Sequence, residues 1–259
     1  MSDAFETISL SIDARQVATV MLARPDKHNA MNATMIAELA EAASCLADNV
    51  DVRAVVLAAE GKTFCAGADL NWMRAQRDKD RAGKIEEALT LARMLKLWND
   101  LPKPVIARVQ GGAYGGGLGL IAVSDIVVAE ESARFALTET RLGLIPATIG
   151  PFVVRKFGEA FARQVFFSAR PFGADFMHRA GAVARVCSAG EINAAVEEEL
   201  EACLRCALGA VAAAKALCLS VSGMDPAGAM TFSAEALADR WETEEAQAGI
   251  AAFFASRKG

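Results

Sequence analysis

Long apolar runs, histidine, tyrosine and a basic charge balance are all scarce in this 259-residue chain. No apolar stretch approaches the roughly 20 residues of a membrane-spanning helix, so no span is expected. The first ten residues carry Asp3 and Glu6 and have neither a basic nor an apolar block. That reads as no secretory leader and predicts a cytoplasmic location without membrane partners. The chain has 27 Lys and Arg against 32 Asp and Glu, a net charge of −5, which argues against a general phosphate-backbone partner. A single tyrosine, Tyr114, and the absence of an arginine-rich or aromatic RNA motif argue against nucleic acid further. The two histidines, His28 and His178, stand in no catalytic pattern. The six cysteines read as reduced thiols. Cys203 and Cys206 form a CxxC, but inside a helical pattern with no second pair or histidine nearby, so no metal is assigned.

What the chain does have is apolar material, 53% of residues against 23% charged, enough for a substantial core. "TISLSIDARQVATVMLAR" alternates as two strands with a turn near Asp13–Arg15. An amphipathic helix follows, with Asn32 as N-cap and Met35, Leu39, Ala43 and Leu46 on one face. "RAVVLAAE" is a short apolar strand that ends in the loop "GKTFCAGAD", where Asp69 can cap the next helix. The charged stretch Arg74 to Glu87 is the candidate mobile surface segment. About fifty residues on, "PVIARV" and "GGAYGGGLGLIAVSD" repeat the order of strand, small-residue loop and apolar helix, and this repetition predicts an α/β layout with a buried sheet. From about Ile192 the sequence is helical and alanine-rich, with broad apolar faces.

Loops of small residues that open helices offer backbone N–H groups at the positive end of a helix dipole. Gly117-Leu-Gly119-Leu-Ile-Ala122 also fits the dinucleotide pattern GxGxxA, with Glu139 about twenty residues on, so a nucleotide cofactor is one reading. The second loop, "CAGAD", favours another: two such loops can bring two N–H groups to one oxygen, an oxyanion hole.

"FCAGADL", "KPVIARVQGGAYGGGLGL" and "ARFALTETRLGLIP", in this order and spacing, resemble the enoyl-CoA hydratase/isomerase (crotonase) family over nearly the whole chain. The resemblance implies a crotonase-like spiral of repeated ββα units in residues 1–191, an acyl-CoA-binding core, and a helical oligomerisation region in residues 192–259. It implies an acyl-CoA thioester as substrate, with coenzyme A as part of it, and no separate cofactor, because the thioester itself activates the carbon. Carried over by motif, the oxyanion donors fall on Ala68 and Gly116 and the catalytic carboxylate on Glu139. Contacts to CoA fall on Lys27, Ala30, Ala66, Asp69 and Leu70, and late in the chain on Phe253, Arg257 and Lys258, commonly from a neighbouring subunit of a trimer or a dimer of trimers. Asp69 reads better as a helix cap than as a catalytic acid. For Tyr114, and for Trp72 and Met73, an acyl-pocket wall and ordinary core packing both stay open.

Family hydratases use a second glutamate, which here would stand at Gly119 and is missing. The finer motifs resemble bacterial methylglutaconyl-CoA and isohexenylglutaconyl-CoA hydratases of branched-chain amino-acid or isoprenoid catabolism, a branch that tolerates glycine there. The expectation is therefore syn hydration of a 2-enoyl-CoA of glutaconyl type. On this reading the substrate's own carboxylate, or a relayed water, fills a gap over Gly119. The alternative is a Δ-isomerase that uses one glutamate, and a third reading is a non-catalytic CoA or RNA binder.

Overall fold

The computed structural model describes residues 5–257. Six strands form the main sheet in the order β1 (Ile8–Ile12), β2 (Val17–Leu22), β3 (Ala54–Ala59), β4 (Val105–Val109), β6 (Ile126–Glu130) and β9 (Arg185–Cys187). β1 and β2 pair antiparallel across the turn read at Asp13, and every later neighbour pairs parallel. Parallel neighbours need crossovers, and helices supply them. A three-stranded sheet, β5 (Gly112–Tyr114), β7 (Arg134–Ala136) and β8 (Phe172–Gly173), lies at the carboxyl end of the main one.

β3 explains why the core has two sides. All six of its residues are buried, as a central parallel strand requires. Val55, Leu57 and Ala59 join the large core beneath α1 (Ala33–Asp48) and α3 (Arg81–Asp100), whereas Ala54, Val56 and Ala58 meet α8 (Ile192–Leu204) on the other face. α1 begins where the sequence places it, its Asn32 cap accepting the Met35 N–H at 2.9 Å. Trp98 of α3 is fully buried and donates its indole N–H to the Leu39 carbonyl at 2.9 Å, locking α3 on α1.

The stretch Arg74 to Glu87 is helical, with most of its residues exposed. α2 (Leu70–Asp78) passes into α3 with only Lys79 and Asp80 between them. Asp80 caps α3 through the Gly83 N–H, and the Lys79 ammonium pairs with Glu87 one and a half turns into it. The cap and the ion pair order this charged surface stretch as two helices joined by a short turn.

α4 (Gly116–Val123) is buried through almost its whole length. α5 (Gly150–Phe157), α6 (Glu159–Ser168) and α7 (Ala174–Arg179) close over β7 and β8 through a cluster of Phe135, Phe157, Phe161, Phe172 and Phe176. Packing is uneven along the C-terminal helices. α8 buries Ile192, Ala195, Val196 and Leu200 on the sheet, while α9 (Leu208–Val221), α10 (Pro226–Trp241) and α11 (Glu244–Ser256) bury no residue fully. Met224, Met230, Leu237, Trp241, Phe253 and Phe254 stand exposed there. Among the described residues no single helix is long and apolar enough to cross a membrane.

One polar residue fixes the edge of the fold nearest the site. Asn29 is fully buried, at φ 54°, with its amide N–H groups on the Glu60 and Thr63 carbonyls and its Oδ1 accepting from the Arg24 N–H, all within 2.9 Å. It thereby ties the segment after β2 to the loop after β3. Replacing it with alanine strands these groups and keeps a left-handed backbone, so Asn29→Ala should lose about 3 kcal/mol in urea unfolding. A loss below about 1 kcal/mol would mean that water replaces the tie without cost.

Candidate active site

The site is built from two backbone rungs. Met31 donates its N–H to the Gly67 carbonyl at 2.7 Å and accepts the Asp69 N–H at 2.8 Å. In such a parallel bridge the bracketed residue, Ala68, turns its own N–H to the opposite side. Cys65 likewise takes the Gly112 carbonyl at 3.1 Å and the Tyr114 N–H at 2.9 Å, which registers the second loop on the first. Gly115 then donates to the Ala136 carbonyl, and Gly116 opens α4 with one of the N–H groups that no helix can satisfy internally. Among the described residues neither the Ala68 nor the Gly116 N–H has an acceptor.

Two glycines make the approach of the loops possible. Gly67 and Gly115 have φ of 89° and 47°. A Cβ on Gly67 would lie 3.1 Å from the Tyr114 carbonyl oxygen, and one on Gly115 3.3 Å from a Glu139 carboxylate oxygen and 3.7 Å from the Gly67 Cα. The loops therefore touch backbone to backbone, with Glu139 directly above them.

Glu139 starts the 3-10 turn Glu139–Leu142 that follows β7. Its Oε2 is buried and has no hydrogen-bond partner. Burial pushes its proton affinity above the ordinary carboxylate range, and backbone N–H groups of Glu139 and Thr138 offset that only in part. A carboxylate held this way is a stronger base than one in water.

Ala68, Gly115, Gly116 and Glu139 share one cavity of about 1100 Å³. Its wall comes from α2 and α3, with Leu70, Trp72, Met73, Glu87 and Leu91, and from the run Leu142–Ile149. Most of that wall is apolar, which suits an acyl chain. Arg74, Arg77 and Lys84 also line it, and the buried Trp72 indole N–H lies beside the Glu87 carboxylate.

The remaining candidates from the sequence fall into three groups. Ala66, Asp69 and Leu70 belong to or adjoin the loop that carries Ala68; the Ala66 N–H bonds the His28 carbonyl, Lys27 ends the 3-10 turn Pro25–Lys27, and Ala30 follows the His28–Asn29 turn. Asp69 caps α2 through the Asn71 and Trp72 N–H groups and pairs with Arg24 at 3.2 Å. Burial would raise its pKa, but those hydrogen bonds and Arg24 outweigh it, so the carboxyl is held below its ordinary range. Tyr114 does not line the cavity; its ring folds over Gly112 on the same face of β5, where a Cβ would stand 2.6 Å away. Phe253 is exposed on α11 under the Arg257 guanidinium and does not line the cavity, and Lys258 lies outside the described residues.

The expected gap over Gly119 does not exist. A Cβ there would lie 2.7 Å from Ile149 Cγ2 and 3.3 Å from Leu95 Cδ1, so the space is already filled and Gly119 is off the cavity wall. The dinucleotide reading fails for a related reason. Gly117 and Gly119 lie inside α4 with their Cβ positions directed at Cys65 and Ile149. Ile149, Met31, Arg24 and Asn29 escaped the sequence reading, because each acts through a contact between distant segments. The double left-handed backbone at His28–Asn29 had no glycine to mark it.

A family model described as enoyl-CoA hydratase/isomerase matches residues 13–259. The chain belongs to that family. An enoyl-CoA hydratase structure from Shewanella pealeana superposes with a TM-score of 0.93 at 36% identity, over 97% of this chain and 94% of that one. Pseudomonas aeruginosa AtuE gives 0.92 at 34%, over 96% of each. The enoyl-CoA hydratase ACTT6 of Alternaria alternata is 33% identical over 72% of this chain, which spans 58% of that longer protein. The mixed α/β architecture is thus the crotonase fold expected from the motifs.

Glu139 gives this family member a pH signature in stability. Its proton affinity is higher folded than unfolded, so its favourable contribution is present below the ordinary value of 4.5 and is lost as pH rises through the raised one. Glu139→Gln should therefore melt higher than the parent at neutral pH, with the advantage vanishing toward pH 4. Melting curves of the pair across that range test it, and a variant less stable at neutral pH would contradict the assignment.

Proposed function

We propose that this protein adds water reversibly across the C2=C3 bond of a 2-enoyl-CoA, with Glu139 as the single acid–base group and Ala68 and Gly116 as the oxyanion donors. The observation that carries this reading is a buried, unpartnered carboxylate oxygen beside two backbone N–H groups that lack acceptors. Glu139 takes a proton from a water whose oxygen bonds to C3. The C2=C3 electron pair moves toward the thioester oxygen, which the two N–H groups hold. The carboxyl then returns its proton to C2, so H and OH arrive on the same face. Donors fixed in advance stabilise that oxygen without reorganising, and each is worth on the order of 3 kcal/mol.

For the acyl group we propose a (methyl)glutaconyl type, with a second carboxylate, as in branched-chain amino-acid or isoprenoid breakdown. Arg74, Arg77 and Lys84 on the cavity wall support it. The exposed apolar residues of α9–α11 support assembly as a trimer or a dimer of trimers, with residues 1–191 as the acyl-CoA core and the helical region at the subunit contacts. One observation favours the alternative of a Δ-isomerase shuttling a proton between C2 and C4: no second carboxylate stands on α4 to hold a water.

The test offers 3-methylglutaconyl-CoA, crotonyl-CoA and a 3-enoyl-CoA side by side. Hydration of the first should exceed that of crotonyl-CoA, and Glu139→Gln should lower kcat by roughly a thousandfold. Turnover of the 3-enoyl substrate alone would establish the isomerase instead, and an active Glu139→Gln would remove Glu139 from the chemistry.

A further inference from the structure

We infer that Ile149 is the residue that keeps a carboxylate off α4 in this site. Its side chain occupies the volume in which a carboxylate on α4 would stand, so glycine at 119 and isoleucine at 149 form a steric pair. The inference deepens the proposed acyl-CoA chemistry and rests on it for its catalytic half alone.

Gly119 lies one turn into α4, fully buried, with its missing side chain aimed at Ile149. The atom met first is Ile149 Cγ2 at 2.7 Å, followed by Ile149 Cβ at 3.4 Å and Leu95 Cδ1 at 3.3 Å. Cγ2 and Cβ sit next to the backbone, so they cannot swing aside as the tip of a long side chain can. β-Branching restricts the one torsion that could move Cγ2. The backbone is pinned as well. Ile149 is the residue before α5 and accepts the Phe152 and Val153 N–H groups, and the Gly150 N–H bonds the Pro146 carbonyl at 2.9 Å. Leu95, behind, is fully buried in α3. Relief at the Ile149 wall would require the start of α5 to move.

Ile149 itself is 3% exposed and lines the acyl cavity, whereas Gly119 does not. The isoleucine thus stands between α4 and the substrate and presents hydrocarbon where a second carboxylate would hold water. With that side dry, both proton steps pass through Glu139. A residue that selects among chemistries in this way sits neither on the oxyanion loops nor on the catalytic turn, and it acts by exclusion.

The test has two arms. In the first, Gly119→Ala is placed in the parent and in Ile149→Ala, and melting is followed. Overpacking should lower the parent's Tm by about 5 °C, and the penalty should vanish in the Ile149→Ala background. Equal penalties in both backgrounds would overturn the steric pair whether or not the protein hydrates anything. In the second arm, Gly119→Glu/Ile149→Ala is compared with Gly119→Glu alone. The double variant should hydrate crotonyl-CoA on the order of tenfold faster, and its pH profile should gain a second ionisation. A folded double variant no better than the single one would overturn the claim that Ile149 governs the chemistry. If the parent turns over no enoyl-CoA at all, the functional reading fails and the melting arm still decides the pair.

Discussion

The structure depends on leaving two backbone N–H groups unbonded beside a buried carboxylate. A chain avoids this arrangement wherever it can, since an unpaired buried donor and a desolvated acid each cost stability. The surroundings over-determine it here. Met31 and Cys65 take up the flanking peptide groups on both loops, so the Ala68 and Gly116 N–H groups cannot relax into alternative partners without breaking a rung. Asn29 and the Arg24–Asp69 pair brace the same segments from outside.

The cavity follows from that constraint. Two helix-opening loops in backbone contact place α2 and α4 on either side of a gap, and α3 with the Leu142–Ile149 run closes it. Its charges separate by position. Glu139 is pushed toward protonation by burial, while the Lys79 ammonium leads in holding Glu87 well below its ordinary range. Two glutamates on one wall therefore have opposite tendencies, and only the one beside the two free N–H groups is suited to carry a proton to and fro. Asp69, equally close in sequence to the loop, is committed to capping α2.

Much of this was legible in the residues. Asn32 and Asp69 announce their helices because a short polar side chain before an apolar run satisfies the first free N–H groups. The alternation of β1 and β2 and the continuous burial of β3 follow from which faces meet the core. The repeat of strand, glycine loop and helix located both loops, and the family motifs named Ala68, Gly116 and Glu139. Local pattern decided less where long-range contact governs. Arg74 to Glu87 read as a mobile charged stretch that also supplies pocket wall; the structure makes it helical, and its inner positions do line the cavity. For Tyr114 the residues left pocket wall and core packing open, and strand alternation decides it by turning the ring over Gly112.

Gly119 separates what each level decides. The sequence by itself determined that no carboxylate stands there, since an absent side chain is a fact of composition. It also determined the elements, the loops and the carboxylate that remains, because periodicity, caps and motifs are local properties. Only the tertiary structure decided that the position is filled rather than vacant. Ile149 lies thirty residues further on and reaches α4 only after β6, β7 and the catalytic turn have folded between them. Occupied volume belongs to the packed chain and is written in no single segment of it.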